Sequence, residues 1–165
     1  YEIASCLVGS EMCIRDRFGN VVSSPDQADI IILYLPTVFN GNQAPGSNEL
    51  IDKFLSGILP DGDLTYGSDI VKKAKTYADY ATLITVVDLN RPAILTELNE
   101  ISDGLIGTFG VYDSILYEVI FGQFSPQGKL PFEIPSSMES VEHQKEDLPD
   151  DSESPIFEFG HGLTY

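Results

Sequence analysis

The chain has 165 residues with 9 basic and 26 acidic side chains, a net charge of −17, and 42% hydrophobic residues. So acidic a balance excludes the basic surfaces that nucleic acid and anionic membranes require, so neither is an expected partner. The hydrophobic share is too high for a disordered acidic tail, no apolar run approaches the roughly 18 residues of a membrane span, and the length suits one compact domain.

Residues 1–17, YEIASCLVGSEMCIRDR, read differently from the rest. They resemble the conceptual translation of a transposase-type sequencing adapter. Glu11-Met-Cys-Ile-Arg-Asp-Arg17 is encoded by GAG ATG TGT ATA AGA GAC AG, Leu7-Val-Gly-Ser10 by CTC GTG GGC TCG, and Tyr1-Glu2 by TAC GAG, all in one frame. Ile3 to Cys6 would span a variable index. The other readings are a strand and loop, or a signal peptide, which needs a basic start and about 7 to 15 apolar residues. With this segment set aside, the folding unit is 18–165. Its 148 residues carry 7 basic and 23 acidic side chains and no cysteine, because Cys6 and Cys13 both lie before it. No disulfide or thiolate metal site can be argued, the redox compartment stays open, and no cofactor is expected.

Asp29-Ile-Ile-Ile-Leu-Tyr-Leu35 is a continuous apolar run, which predicts a strand covered on both faces. Pro36 to Gly67 follows, with turn signals at Asn40-Gly41-Asn42, Pro45-Gly46 and Pro60-Asp61-Gly62. A loop this long is usually functional, and open α/β sheets bind ligands beyond the carboxyl ends of their strands. Ser68 is a candidate N-cap for a helix with Ile70, Val71, Ala74, Tyr77 and Ala78 on one stripe. Leu83 to Leu89 is a second strand. Pro92 suits the first turn of a second helix, with Ile94, Leu95, Leu98 and Ile101 at helical spacing. Gly104 to Phe109 is a third strand. Asp113 caps a third helix that turns Ile115, Leu116, Val119 and Ile120 inward and stops at Gly122. Ser136 to Pro155 is acidic, polar and expected on the surface. The order predicts an α/β fold, a largely parallel sheet sandwiched by helices with right-handed crossovers.

Three motifs carry a resemblance. Phe121-Gly-Gln-Phe-Ser-Pro-Gln-Gly-Lys-Leu-Pro-Phe132 is similar to a Phe-Gly, spacer, Pro-x-Gly-(Lys/Arg)-Leu-Pro pattern. Phe159-Gly-His-Gly-Leu-Thr-Tyr165 is similar to a closing Phe-Gly-x-Gly-Leu-(Ser/Thr)-Tyr, and Asn90-Arg91-Pro92 to a Gly-(Arg/Lys)-Pro turn. Together and in this order they resemble the C-terminal α/β domain of family 3 glycoside hydrolases, over about Asp29 to Tyr165. The physical roles of these residues are mostly structural. Gly122 ends a helix, Pro126 and Gly128 turn the chain before an edge strand, and Gly160 and Gly162 allow positive φ or close backbone approach.

The resemblance implies one domain of a retaining, exo-acting β-glycosidase of the β-glucosidase type. Such enzymes use two carboxyl groups about 5 to 5.5 Å apart, a nucleophile and an acid/base. The family's nucleophile sits on a preceding (β/α)8 barrel of around 250 residues, which 148 residues cannot encode. The implied partners are therefore that N-terminal barrel and a β-linked oligosaccharide or glycoside. In several members a glutamate on a loop of this domain supplies the acid/base. Here that region is Pro36 to Gly67, whose only glutamate is Glu49, with Asp52, Asp61 and Asp63 as the other carboxylates. The local alternative for Glu49 is a helix-start or exposed loop residue after Ser47 or Asn48. Where many members carry a Gly-Gln-Glu-Gly-Gly-like segment, this chain has Phe109-Gly110-Val111-Tyr112-Asp113, so Tyr112 or Asp113 is a candidate sugar contact. His143 and His161 stand 18 residues apart without ligand spacing. The acidic run Glu139 to Glu153 lacks the EF-hand pattern and reads as a solvated loop. Arg91 is a candidate partner for a carboxylate at a domain boundary. Two other readings stay open: a non-catalytic carbohydrate-binding or structural α/β domain, and a flavodoxin-like domain, for which a phosphate loop is lacking.

Overall fold

The computed structural model describes residues 2–5, 17–38, 62–145, 147–148 and 150–164. Its sheet contains β1 (Glu2–Ser5), β2 (Asn20–Val21), β3 (Ile30–Leu35), β4 (Thr82–Asp88) and β5 (Gly104–Thr108), in the order β2-β1-β3-β4-β5. Every pairing is parallel, and the register sets Ile31 beside Leu83, Tyr34 beside Val86, and Asp88 beside Thr108. Among the described residues four α-helices accompany these strands: α1 (Ser68–Ala78), α2 (Thr96–Ile101), α3 (Asp113–Ile120) and α4 (Met138–Glu142). β1 comes from the segment read as adapter-like, and β2 is too short to carry a hydrophobic period.

Parallel strands need cover on both faces, and the period-2 alternation supplies two cores. Ile31, Leu33, Leu35, Leu83 and Val87 join Ala74 of α1 and Leu98 of α2 on one side. Ile32 and Val86 join Leu116 and Tyr117 of α3 on the other. Phe18 seals the second core, stacked on Tyr117 at 5.7 Å and on Phe121 at 5.3 Å between ring centroids. Each fully buried aliphatic side chain of this kind contributes about 1.5 to 3 kcal/mol of burial free energy. The α/β sandwich expected from the sequence is the architecture observed.

Several local expectations need correction. Helix α1 starts at Ser68, with Gly67 as its N-cap. Pro92 lies outside α2, which begins only at Thr96, because the Ile94 amide donates to Leu64 O at 2.9 Å in a parallel bridge between Thr65 and Ile94. Asp113 is the first residue of α3 and not its cap, and no side chain caps that helix. Its carboxylate still lies where the helix dipole favours negative charge. Ile115 is exposed, and Tyr117 takes the inward position. Gly122 follows α3 at φ +70°, as the expected stop. No edge strand follows Gly128; Ile134 makes an isolated antiparallel bridge with Phe157 instead. The acidic stretch is also more ordered than a plain solvated loop. Ser137 Oγ caps α4 by accepting from Ser140 N, and the buried Glu133 accepts from Ser152 N at 2.6 Å and Gln144 Nε2 at 3.0 Å.

Candidate functional site at the carboxyl edge of the sheet

Because all five strands are parallel, their carboxyl ends lie along one edge. Three of the connections that leave it carry the candidate residues: the chain after β3, the β4–α2 turn and the β5–α3 loop. Glu49, Asp52 and Asp61 lie outside the described residues. Asp63, the remaining carboxylate of that loop, is exposed, and its Oδ1 accepts from Thr65 N at 2.8 Å. That is a local turn bond, the habit of aspartate in loops.

The other two connections form a polar cluster. Thr37 is buried and its hydroxyl donates to Asp88 O at 3.1 Å. Asn90 Nδ2 donates to both Asp88 carboxylate oxygens at 2.9 Å and reaches Thr37 Oγ1 at 3.4 Å. Tyr66 donates to Pro36 O at 2.9 Å. Burial first, then Asp88 and Tyr34, push the Tyr66 hydroxyl well above its ordinary pKa. Tyr34 is raised as well, by burial and then by Asp88 and Asp113, against a hydrogen bond with Thr108 that lowers it. Both phenols therefore stay protonated near neutral pH, and Tyr66 donates its proton to the bond with Pro36 O. Of this cluster the sequence singles out Asp113, and Asn90 only as part of the Asn90-Arg91-Pro92 turn. Counting alternate residues back from Asp88 along Leu-Ile-Thr-Val-Val-Asp does place it on the Val86 face, which is the signal that could have found it.

The β5–α3 loop is apolar and outward. Tyr112 is 84% exposed and Phe109 49%, with Val111 exposed beside them. Phe109 meets Phe132 edge-on at 6.0 Å, and Gly110 holds φ +80° between them. Arg91 donates from Nη1 to Val38 O at 3.5 Å and from Nη2 to Gly62 O at 3.3 Å, so its described partners are carbonyls. His143 is exposed as the C-cap of α4, and His161 stacks on Phe157 at 4.7 Å. Among the described residues no group of three His, Cys, Asp or Glu side chains is placed to hold a metal, and no helix is long and apolar enough to cross a membrane.

Residues 11–165 match the family model for the glycosyl hydrolase family 3 C-terminal domain. The chain belongs to that family. A probable beta-glucosidase C of Aspergillus flavus is 36% identical over 145 residues, covering 88% of this chain and 22% of its own length. A periplasmic beta-glucosidase/beta-xylosidase of Dickeya chrysanthemi is 36% identical over 151 residues, with 88% and 21% covered. The family 3 domain thus spans about a fifth of the length of these relatives. A crystal structure of beta-glucosidase from Listeria innocua in complex with isofagomine shares the fold, with a TM-score of 0.67 and 16% identity over 99% of this chain and 30% of that one.

The two C-terminal motifs of the family 3 domain prove to be one physical unit. Leu130 N donates to His161 O at 2.8 Å, Gly160 N to Leu130 O at 2.9 Å, and Lys129 Nζ to Gly162 O at 2.7 Å. Gly160 sits at φ +76°, and a Cβ on Gly162 would collide with the carbonyl oxygen of Gly128. One glycine thus meets each of the two needs expected of the pair, positive φ and close approach.

Proposed function

We propose that this domain completes the active site of a retaining, exo-acting β-glycosidase of the β-glucosidase type. A preceding (β/α)8 barrel supplies the nucleophile, and Glu49 acts as the acid/base. The observation that carries the reading is the 36% identity, over 88% of the chain, to proteins named as beta-glucosidases. The edge described above suits the role. It gathers exposed aromatic surface at Phe109 and Tyr112, of the kind that stacks on sugar rings or on a neighbouring domain, beside hydroxyl-binding groups at Tyr34, Asp88 and Asn90. Tyr112 is the proposed sugar contact of the β5–α3 loop. Double displacement then requires Glu49 to protonate the leaving oxygen and later deprotonate water.

The test is Glu49→Gln in the full-length enzyme, assayed on aryl β-glucosides. Loss of the acid/base should lower kcat by about 10²- to 10⁴-fold for poor leaving groups, and external azide should restore turnover as glycosyl azide. Undiminished activity would remove Glu49 and favour the reading of a non-catalytic carbohydrate-binding or structural domain. The 165-residue chain alone should hydrolyse nothing.

We also infer that residues 1–17 are adapter-derived and that 18–165 is the native part. The single-frame codon correspondence supports this. A β1 strand is compatible with it, since the slot between β2 and β3 is filled by backbone hydrogen bonds that any short extended segment can make. Sequencing the source gene across Phe18 decides: native codons for Tyr1 to Arg17 would overturn the inference.

A further inference from the structure

The β4–α2 turn holds both ends of the 39–61 segment. Val38 is the last described residue before that segment and Gly62 the first after it. Arg91 reaches the carbonyl of each, through Nη1 at 3.5 Å and Nη2 at 3.3 Å. The stems carry other bonds as well. Thr37 is bonded to Asp88 O and Tyr66 to Pro36 O, while Ile94 N binds Leu64 O at 2.9 Å. Tyr66 ties the second stem directly to the first, whereas Arg91 ties both stems to the β4–α2 turn through a single side chain. The residue type fits the task. A guanidinium is planar, spaces its donors in a rigid fork and keeps its charge at every working pH, whereas an ammonium is a compact point charge on a flexible stem.

We propose that Arg91 is a positioning residue, a fork that fixes the separation of Val38 and Gly62, the described residues on either side of 39–61. Its consequence for catalysis rests on the reading that this segment carries the acid/base; the clamp itself does not. Two neighbours on the same turn support the fork. Asn90 bonds Asp88 and Thr37, which anchors the turn to β4 and to the first stem. Pro92 restricts the backbone of the residue before it to extended conformations, which limits the directions the Arg91 side chain can take.

The clamp can be measured on the whole 165-residue chain without any activity. Glu49 is the only glutamate and Lys53 the only lysine between 39 and 61, so glutamyl and lysyl endoproteinases each cut that segment once. Glu118 and Lys75, inside α3 and α1, report cutting through global opening. Arg91→Met should speed cleavage after Glu49 and Lys53 by about tenfold relative to Glu118 and Lys75, by releasing the stems. Arg91→Lys should behave like Arg91→Met, because charge without the fork cannot span both carbonyls. Ethylguanidinium at tens of millimolar should slow the cleavage again in Arg91→Met and leave the native chain unchanged. Equal acceleration at all four sites in both variants would mean that Arg91 serves only global stability, and would overturn the proposal. So would native-like cleavage in either variant. Loss of hydrolysis in Glu49→Gln with cleavage after Lys53 unchanged would bear on the acid/base reading alone.

Discussion

Gly162→Ala isolates the contact that joins the two C-terminal motifs. A methyl group at 162 would overlap the Gly128 carbonyl oxygen and press on Lys129 Cδ at 3.0 Å. The first obstacle is backbone, so no rotamer change relieves it. The 158–162 strap must lift away from 128–130, which loosens the bonds Leu130 N to His161 O, Gly160 N to Leu130 O and Lys129 Nζ to Gly162 O. At about 1 kcal/mol net for each hydrogen bond, the cost is about 2 to 3 kcal/mol. For a domain of this size that lowers Tm by about 5 to 10 °C. Two glycines serve as controls in the same unit. Gly128→Ala adds a methyl to open space and should shift stability by no more than about 0.5 kcal/mol. Gly160→Ala meets nothing but must hold φ +76°, which costs about 1 to 2 kcal/mol. Urea and thermal unfolding followed by circular dichroism would rank the three. Gly162→Ala as stable as Gly128→Ala would refute the close-approach argument.

Tyr66→Phe tests the polar cluster through pH. The Tyr66 phenol is raised in the folded chain, so its contribution is complete below about pH 10, the unfolded pKa, and is lost as pH climbs toward the folded one. The variant should lose about 1 kcal/mol at neutral pH with the bond to Pro36 O, and should show a flatter decline in urea midpoint above pH 10; an unchanged slope would show that Tyr66 is not the titrating group. Glu133→Ala leaves the Ser152 amide and the Gln144 amide group without their shared acceptor, so amide exchange across 144–153 should accelerate and stability fall by about 1 to 3 kcal/mol. Unchanged exchange at Ser152 would mean that the buried carboxylate does not hold the acidic stretch.

The parts of the fold that a sequence shows are those decided locally. Ile31 to Leu35 and Leu83 to Val87 are long apolar runs, so β3 and β4 are legible from composition alone. The start of α2 is not, because the Ile94 amide is taken by Leu64, a partner 30 positions away. Ile115 is misplaced for another reason: Ile115, Leu116, Tyr117, Val119 and Ile120 are more apolar residues than one inner face takes, so period alone does not choose among them. The motifs at 121–132 and 159–165 are visible separately, while their pairing through Leu130 and His161 exists only in three dimensions. The candidate site divides the same way. Tyr112 and Asp113 stand out as loop residues after a strand, whereas Thr37, Asp88 and Asn90 acquire meaning only when β3 and β4 are set side by side in register.

That register also accounts for where a site can form. A parallel sheet sends every strand's carboxyl end to one edge, so three stretches far apart in the chain arrive together there: 36–38, 88–91 and 108–113. The strands fix the edge, but their apolar side chains are spent on the two cores. Chemistry is left to the first residues beyond each strand, and these are the polar and aromatic ones: Thr37 after β3, Asn90 and Arg91 after β4, Phe109 and Tyr112 after β5. Asn90 and Arg91 have the further task of holding the neighbouring connection in place, which no strand hydrogen bond can do. A turn that looks from its sequence like family punctuation, Asn90-Arg91-Pro92, therefore ties the chain after β3 to the carboxyl end of β4.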